Sequence, residues 1–136
     1  VTPIAEPQPP YPELYLEGLR LFDEEEFFEC HDVLEELWSD TQGPERKFFQ
    51  GLIQLSISLF HFGNDNFGGA RKLYESSRKY LESYRPAYMN VDVDKLLADH
   101  QACFVELNEC PDPFKTPGLA LRDELVPKVT FLSGAE

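Results

Sequence analysis

From Phe48 to Phe62 the chain reads FFQGLIQLSISLFHF, fifteen consecutive residues without a charge. The run is shorter than the roughly 20 residues that span a bilayer. A helix with one face in water normally carries Lys, Glu or Arg on that face. This segment therefore predicts a central helix, over about Glu45 to Phe62, enclosed by the rest of the chain. The chain is long enough to enclose it: 136 residues make one domain with a genuine core, and 11 Phe and 6 Tyr supply bulky apolar surface.

The flanking segments read as more helices. Tyr11 to Phe22 places Leu14, Leu16, Leu19, Leu21 and Phe22 at mostly helical spacing, with Pro12 tolerated in a first turn. Asp23 to Glu26 offers an N-cap and first-turn acids to a second helix over about Glu24 to Ser39, ended by Thr41-Gln-Gly-Pro44. After the turn Gly63 to Asn66, with Asn66 or Asp65 as cap, a fourth helix runs from Phe67 to Tyr84, and Pro86 stops it. Its Arg71, Glu75, Arg78 and Glu82 alternate in sign and predict an exposed ladder of ion pairs. Asp92 or Asp94 caps a fifth helix reaching about Asn108. No segment has strand periodicity. The fold class is all-α, a compact bundle of about five helices arranged as hairpins. Residues 1–10 form an extended Pro-rich segment without the features of a secretory signal, 11–110 the helical domain, and 111–136 an irregular Pro-containing tail with one turn near Leu119 to Leu125.

The net charge of −13 is unevenly spread. Residues 1–40 hold twelve acids against one base, 41–90 four against seven, and the remainder nine against four. A chain of this balance repels polyanions, which argues against nucleic acid as a partner. The basic middle is expected to neutralise the acidic first third. Three cysteines, Cys30, Cys103 and Cys110, without a CxxC pair, point to a reducing compartment and a cytoplasmic location. There is no Gly-rich phosphate loop, GxSxG or framed Cys/His nucleophile.

The second helix carries the main functional signal. At about 100° per residue, Phe27, Cys30, Val33, Leu34, Leu37 and Trp38 form an apolar arc, and Glu29, Asp32 and Glu36 lie opposite. His31 and Glu35 fall at the edge of the apolar arc, between Trp38 and Phe28. Polar groups so placed need a hydrogen bond or an opposite charge. Two readings follow: a buried His31–Glu35 hydrogen bond that sets packing, or two members of a metal or acid–base site. On the central helix Gln50, Gln54, Ser58 and His61 share one sector, which faces either the His31/Glu35 edge or solvent.

FDEEEFFECHDVLEELW (Phe22 to Trp38), with its HxxxExxW pattern, resembles the first block of the Domain of Unknown Function 309 family. FFQGLIQLSISLFHF resembles its second block and GNDNFGGARKL (Gly63 to Leu73) its third, in one uninterrupted order over about residues 12 to 85. The resemblance implies a helical domain that gathers His31, Glu35, Trp38, Gln54, His61 and Asn66 in one place. It implies no activity. The DEEE turn departs from the family, which often has Asn and Gly there.

Two functions are consistent with these residues. One is a structural or protein-interaction module, binding a protein partner or a second copy through its helical hairpins. The other is a metal-dependent or acid–base enzyme. There His31, Glu35 and His61 would hold a divalent metal ion, with His31 and Glu35 as candidate catalytic groups and Trp38, Gln50, Gln54 and Asn66 lining the pocket. A further metal reading joins His100 and Cys103 to Cys110 or Cys30 around zinc.

Overall fold

The computed structural model describes residues 4–129. It contains α1 (Glu13–Asp23), α2 (Phe27–Ser39), α3 (Arg46–Gly63), α4 (Phe67–Leu81) and α5 (Val93–Glu109). Successive helices α1 to α4 pack as antiparallel hairpins, and α5 packs on α4. α3 is the centre, with Phe48, Phe49, Leu55, Leu59 and Phe62 essentially sealed from solvent. The uncharged run is thus covered by the other helices, as burial of its apolar surface requires. No helix among the described residues is long and apolar enough to cross a membrane.

Two glycines set the helix spacings. A Cβ at Gly18 would lie 2.4 Å from Leu34 Cδ2, so its absence lets α1 press onto α2. At Gly51 a Cβ would lie 2.7 Å from Leu81 Cδ2 and 3.1 Å from Tyr80 Cβ, and there α3 meets α4. Beside that crossing Phe48 packs on Tyr84 and Tyr88, with ring centroids 5.2 and 4.9 Å away. These rings tie the chain after α4 back to the core.

The structure corrects four local expectations. First, the DEEE turn breaks the chain sharply, with Glu25 at φ 63°, but it does not cap α2: Glu26 holds the cap position without a side-chain bond. Asp23 instead accepts from the Val129 N–H at 2.7 Å, and Lys128 donates to the Asp23 carbonyl. The C-terminal segment thus clasps the α1–α2 turn. Second, the ion-pair ladder on α4 does not form. Arg71 donates to the Leu107 carbonyl at 3.1 Å and Arg78 to the Leu97 carbonyl at 2.7 Å, both on α5. Seven residues apart, the two guanidinium groups lie on the half-buried flank that faces α5. They satisfy carbonyls there rather than Glu75 and Glu82 in water.

Third, α4 ends at Leu81 and tightens into a 3₁₀ turn, Glu82–Tyr84, before Pro86. Fourth, a two-residue antiparallel ladder joins Ala87–Tyr88 to Val91–Asp92. Met89 and Asn90, at φ 47° and 67°, make its turn, and Tyr15 on α1 donates to the Met89 carbonyl at 3.0 Å. Two residues per strand are too few for any periodicity to register. The caps at Asn66 and Asp92 form as expected, each accepting from the N–H three residues on at 3.1 and 3.0 Å. Past α5 the described chain is irregular, with 3₁₀ turns at Pro113–Lys115 and Asp123–Leu125. Residues 1–3 and 130–136 of the two expected terminal segments lie outside the described residues.

Candidate functional site: the α2–α3 face

The antiparallel α2–α3 pair presents a strip marked at its two ends by aromatic contacts. At one end Phe28 of α2 packs on Phe60 of α3, with centroids 5.4 Å apart, and on His31 at 5.6 Å. At the other, the Arg46 guanidinium lies 3.9 Å above the Trp38 ring. Arg46 Nη1 also donates to the Trp38 and Thr41 carbonyls, each at 2.9 Å. One arginine thus closes the exposed C-terminal carbonyls of α2 and covers its indole.

Between these ends lie His31 and Glu35. Their Nε2 and Oε2 atoms are 3.8 Å apart, beyond hydrogen-bond length, and 56% of the Glu35 side chain is exposed. The expected buried His–Glu hydrogen bond is therefore absent, because the Glu35 carboxylate turns outward to water instead of accepting the cost of desolvation. His31 Nδ1 comes within 3.2 Å of Asp32 Oδ1, yet it is a buried nitrogen without a hydrogen bond. Trp38 Nε1 and Gln54 Oε1 are likewise buried and unpartnered. Three orphaned polar atoms on one helix pair are notable, since more than about 90% of buried polar groups are satisfied.

The polar sector of α3 does not face α2 as a unit. Ser58 is fully buried, and its Oγ lies 2.9 Å from His100 Nε2 on α5. His61 Nδ1 meets Asn66 Nδ2 at 3.2 Å, so it accepts and its proton sits on Nε2. Asn66 is exposed at the start of α4, where its carbonyl oxygen caps the helix. Gln50 and Gln54 remain half-buried on α3. The expected cluster is thus divided three ways: His31, Glu35 and Trp38 along α2, His61 with Asn66 at the α3–α4 turn, and Ser58 under α5.

Among the described residues, no three His, Cys, Asp or Glu side chains gather as a metal-ligating group. His31, Glu35 and His61 do not form such a set, and neither do His100, Cys103, Cys110 and Cys30. His61 is committed to Asn66 and His100 to Ser58. Nor is a nucleophile poised. Burial pushes the Cys30 and Cys103 thiols up to about 12, away from the reactive thiolate. The Ser58–His100 pair is not a nucleophile and its base: Ser58 donates to the Leu55 carbonyl at 2.6 Å, so His100 Nε2 donates to Ser58, and both side chains are sealed from substrate. Burial foremost, with Arg78 nearby, lowers the His100 pKa to about 3. Its ring packs 4.7 Å from both Tyr74 and Phe104, so it is a neutral core residue.

Sequence reasoning passed over Phe28, Phe60 and Arg46 as members of this face. The signal was present for Phe28, which adjoins His31 and Glu35 on the wheel at the margin of the apolar arc. Arg46 carried none, since its partners lie across a loop.

The domain-of-unknown-function model DUF309 matches residues 15–73, which run from the buried Tyr15 of α1 through α2 and α3 into α4. An uncharacterized protein of Bacillus subtilis (strain 168), YpuF, is 31% identical, over 84% of this chain and 67% of its own length. The matched segment contains the whole α2–α3 face, and the likeness to YpuF extends well beyond it. The chain belongs to the DUF309 family of proteins of unknown function.

Proposed function

We propose that this chain is a protein-interaction module, and that its α2–α3 face docks a basic, amphipathic helical segment of a partner. The observation that carries this reading is Phe28. Its side chain is 47% exposed although it belongs to the apolar margin of α2, and it leans on Phe60. The two rings sit in a depression of about 430 Å3 walled by Glu25, Glu26 and Glu29. An exposed aromatic inside an acidic rim fits an apolar anchor flanked by Lys or Arg. Glu26 and Glu29 hold no ion pair among the described residues, so their charge is available to such a segment. Along the same helix Asp32, Glu35 and Glu36 extend the acidic stripe.

The test is a titration with a fluorescently labelled 18-residue Leu/Lys amphipathic peptide, followed by anisotropy. The emission of Trp38, the single tryptophan of the chain, provides a second signal from the same face. Saturable binding is expected, weakened about tenfold by Phe28→Ser, weakened also by added salt, and absent for the matching Leu/Glu peptide. Binding unchanged by Phe28→Ser in a variant of unaltered melting temperature overturns the reading. So does equal binding of the Leu/Glu peptide.

A further inference from the structure

At the opposite end of α3, about 20 Å along its axis from the Phe28–Phe60 pair, the structure has a cleft of different chemistry. It holds about 550 Å3 and is lined by Lys47 from α3 and by Ser76, Lys79, Tyr80 and Ser83 from α4 and the turn after it. Ile4 and Tyr84 complete it, and no carboxylate among the described residues lines it. The local sequence explains the gathering. Lys47 lies one turn before Gly51, where the missing Cβ lets α3 approach α4 at Tyr80 and Leu81. Ser76, Tyr80 and Ser83 follow one another at helical spacing and so rise on the same side of α4. Tyr84 donates to the Pro44 carbonyl at 2.6 Å, which pins the far wall to the loop before α3.

The donors of this cleft are unspent, and in this chain that is uncommon. Arg20, Arg85, Lys95, Arg122 and Lys128 hold carboxylates. Arg46, Arg71 and Arg78 hold backbone carbonyls. Of the twelve Lys and Arg side chains, all among the described residues, only Lys47, Lys72, Lys79 and Lys115 hold neither, and two of those four line this one cleft. Among the described residues the hydroxyls of Ser76, Tyr80 and Ser83 have no hydrogen bond either. A chain of net charge −13 with carboxylates to spare leaves two ammonium groups and three hydroxyls together and unpaired. Two lysines as point charges and several hydroxyl donors are the partners of a phosphate dianion. The Tyr80 ring, Ile4 and Tyr84 supply an apolar wall, and the volume is that of a small-molecule site.

We propose that this cleft binds a small organic phosphate monoester. Its phosphate lies between Lys47 and Lys79 and accepts from the hydroxyls of Ser76 and Ser83, and its aromatic or apolar group rests against Tyr80 and Ile4. The site is separate from the α2–α3 face and stands whether or not that face binds a peptide.

The experiment is an amide chemical-shift titration of the whole protein with phenyl phosphate, with inorganic phosphate in parallel. Saturable shifts are expected at residues 76–84 and around Lys47, with phenyl phosphate binding several-fold tighter than inorganic phosphate. Lys47→Gln/Lys79→Gln should weaken binding by about a hundredfold, two lost charge-assisted contacts at roughly tenfold each, without moving the melting temperature. Tyr80→Ser should remove the preference for phenyl phosphate while inorganic phosphate still binds. Shifts that do not saturate, or that survive the double lysine substitution in a folded variant, overturn the proposal. Equal affinity for the two phosphates overturns it as well, because the apolar wall then has no role.

Discussion

His31 and His100 are two imidazoles set into helices beside polar neighbours, and the fold treats them in opposite ways. His31 stands at the rim of the α2–α3 face, with Glu35 turned to water 3.8 Å from its Nε2. His100 is sealed between α3, α4 and α5, with Ser58 Oγ 2.9 Å from its Nε2 and aromatic rings on its faces. The residue within a recognisable motif is the lightly held one, and the residue outside any motif is integral to the core. A motif at a helix margin can be spared from folding and kept for contact with another molecule. A buried imidazole cannot, because losing its partner leaves a desolvated polar group behind.

The largest test of this contrast is His100→Ala. It removes a buried ring and its bond to Ser58, which keeps only its bond to the Leu55 carbonyl at 2.6 Å, and should cost about 2–4 kcal/mol in urea unfolding. A cost below ~1 kcal/mol would mean that the core reseals around the gap and that the two histidines are not so different.

Acidity gives the next largest effect. The folded-state pKa of His100, lowered by burial to about 3, lies below its ordinary value of 6.5. As pH falls the unfolded chain takes up this proton first. The stabilisation from a neutral His100 is therefore complete above about pH 6.5 and drains away between there and about pH 3, at up to ~1.4 kcal/mol per pH unit. Carboxylates titrate alike in the wild type and in His100→Gln, so the stability gap between the two should narrow steadily from pH 7 to pH 4. Parallel curves would show that His100 takes up protons equally when folded and unfolded.

Arg46→Ala probes the rim at its better-anchored end. Loss of the stacking on Trp38 and of two bonds to carbonyls should cost about 1–2 kcal/mol and shift Trp38 emission to the red. An unmoved emission maximum would separate Arg46 from the indole. The smallest effect is expected for His31→Gln, under about 1 kcal/mol, since no hydrogen bond to Glu35 is lost. A larger loss would return His31 to the load of the core and weaken the case for a docking face.

Much of the architecture was legible from residue spacing. The uncharged run of α3, the breaks around Pro44, Asn66 and Pro86, and the caps at Asn66 and Asp92 are local signals, because helix formation and capping depend on residues three and four apart. The short hairpin at Met89–Asn90 escaped notice because its strands are two residues long and its turn lacks glycine. The site was legible in its members and not in its grouping. Gln54, Ser58 and His61 share a sector of one helix, and a wheel assigns that sector a single neighbour. In the packed bundle α3 is surrounded, so residues in the same sector meet different helices.

The same division holds for the charges. The sequence by itself determined that α3 is buried in a bundle of five helices and that the acids concentrate in the first third, since these follow from the order of side chains along the chain. Some cations keep acids at helical spacing, as Arg20 keeps Glu17 and Glu24 and Lys95 keeps Asp99, but which cations turn to distant partners was decided by the tertiary structure. Arg71 and Arg78 could pair with acids four residues away in sequence, and the packing of α5 brings them backbone carbonyls instead. Partners distant in sequence compete with near ones only after the helices have docked. For that reason the unspent Lys47 and Lys79, which the sequence spreads 32 residues apart, line one cleft only in the folded molecule.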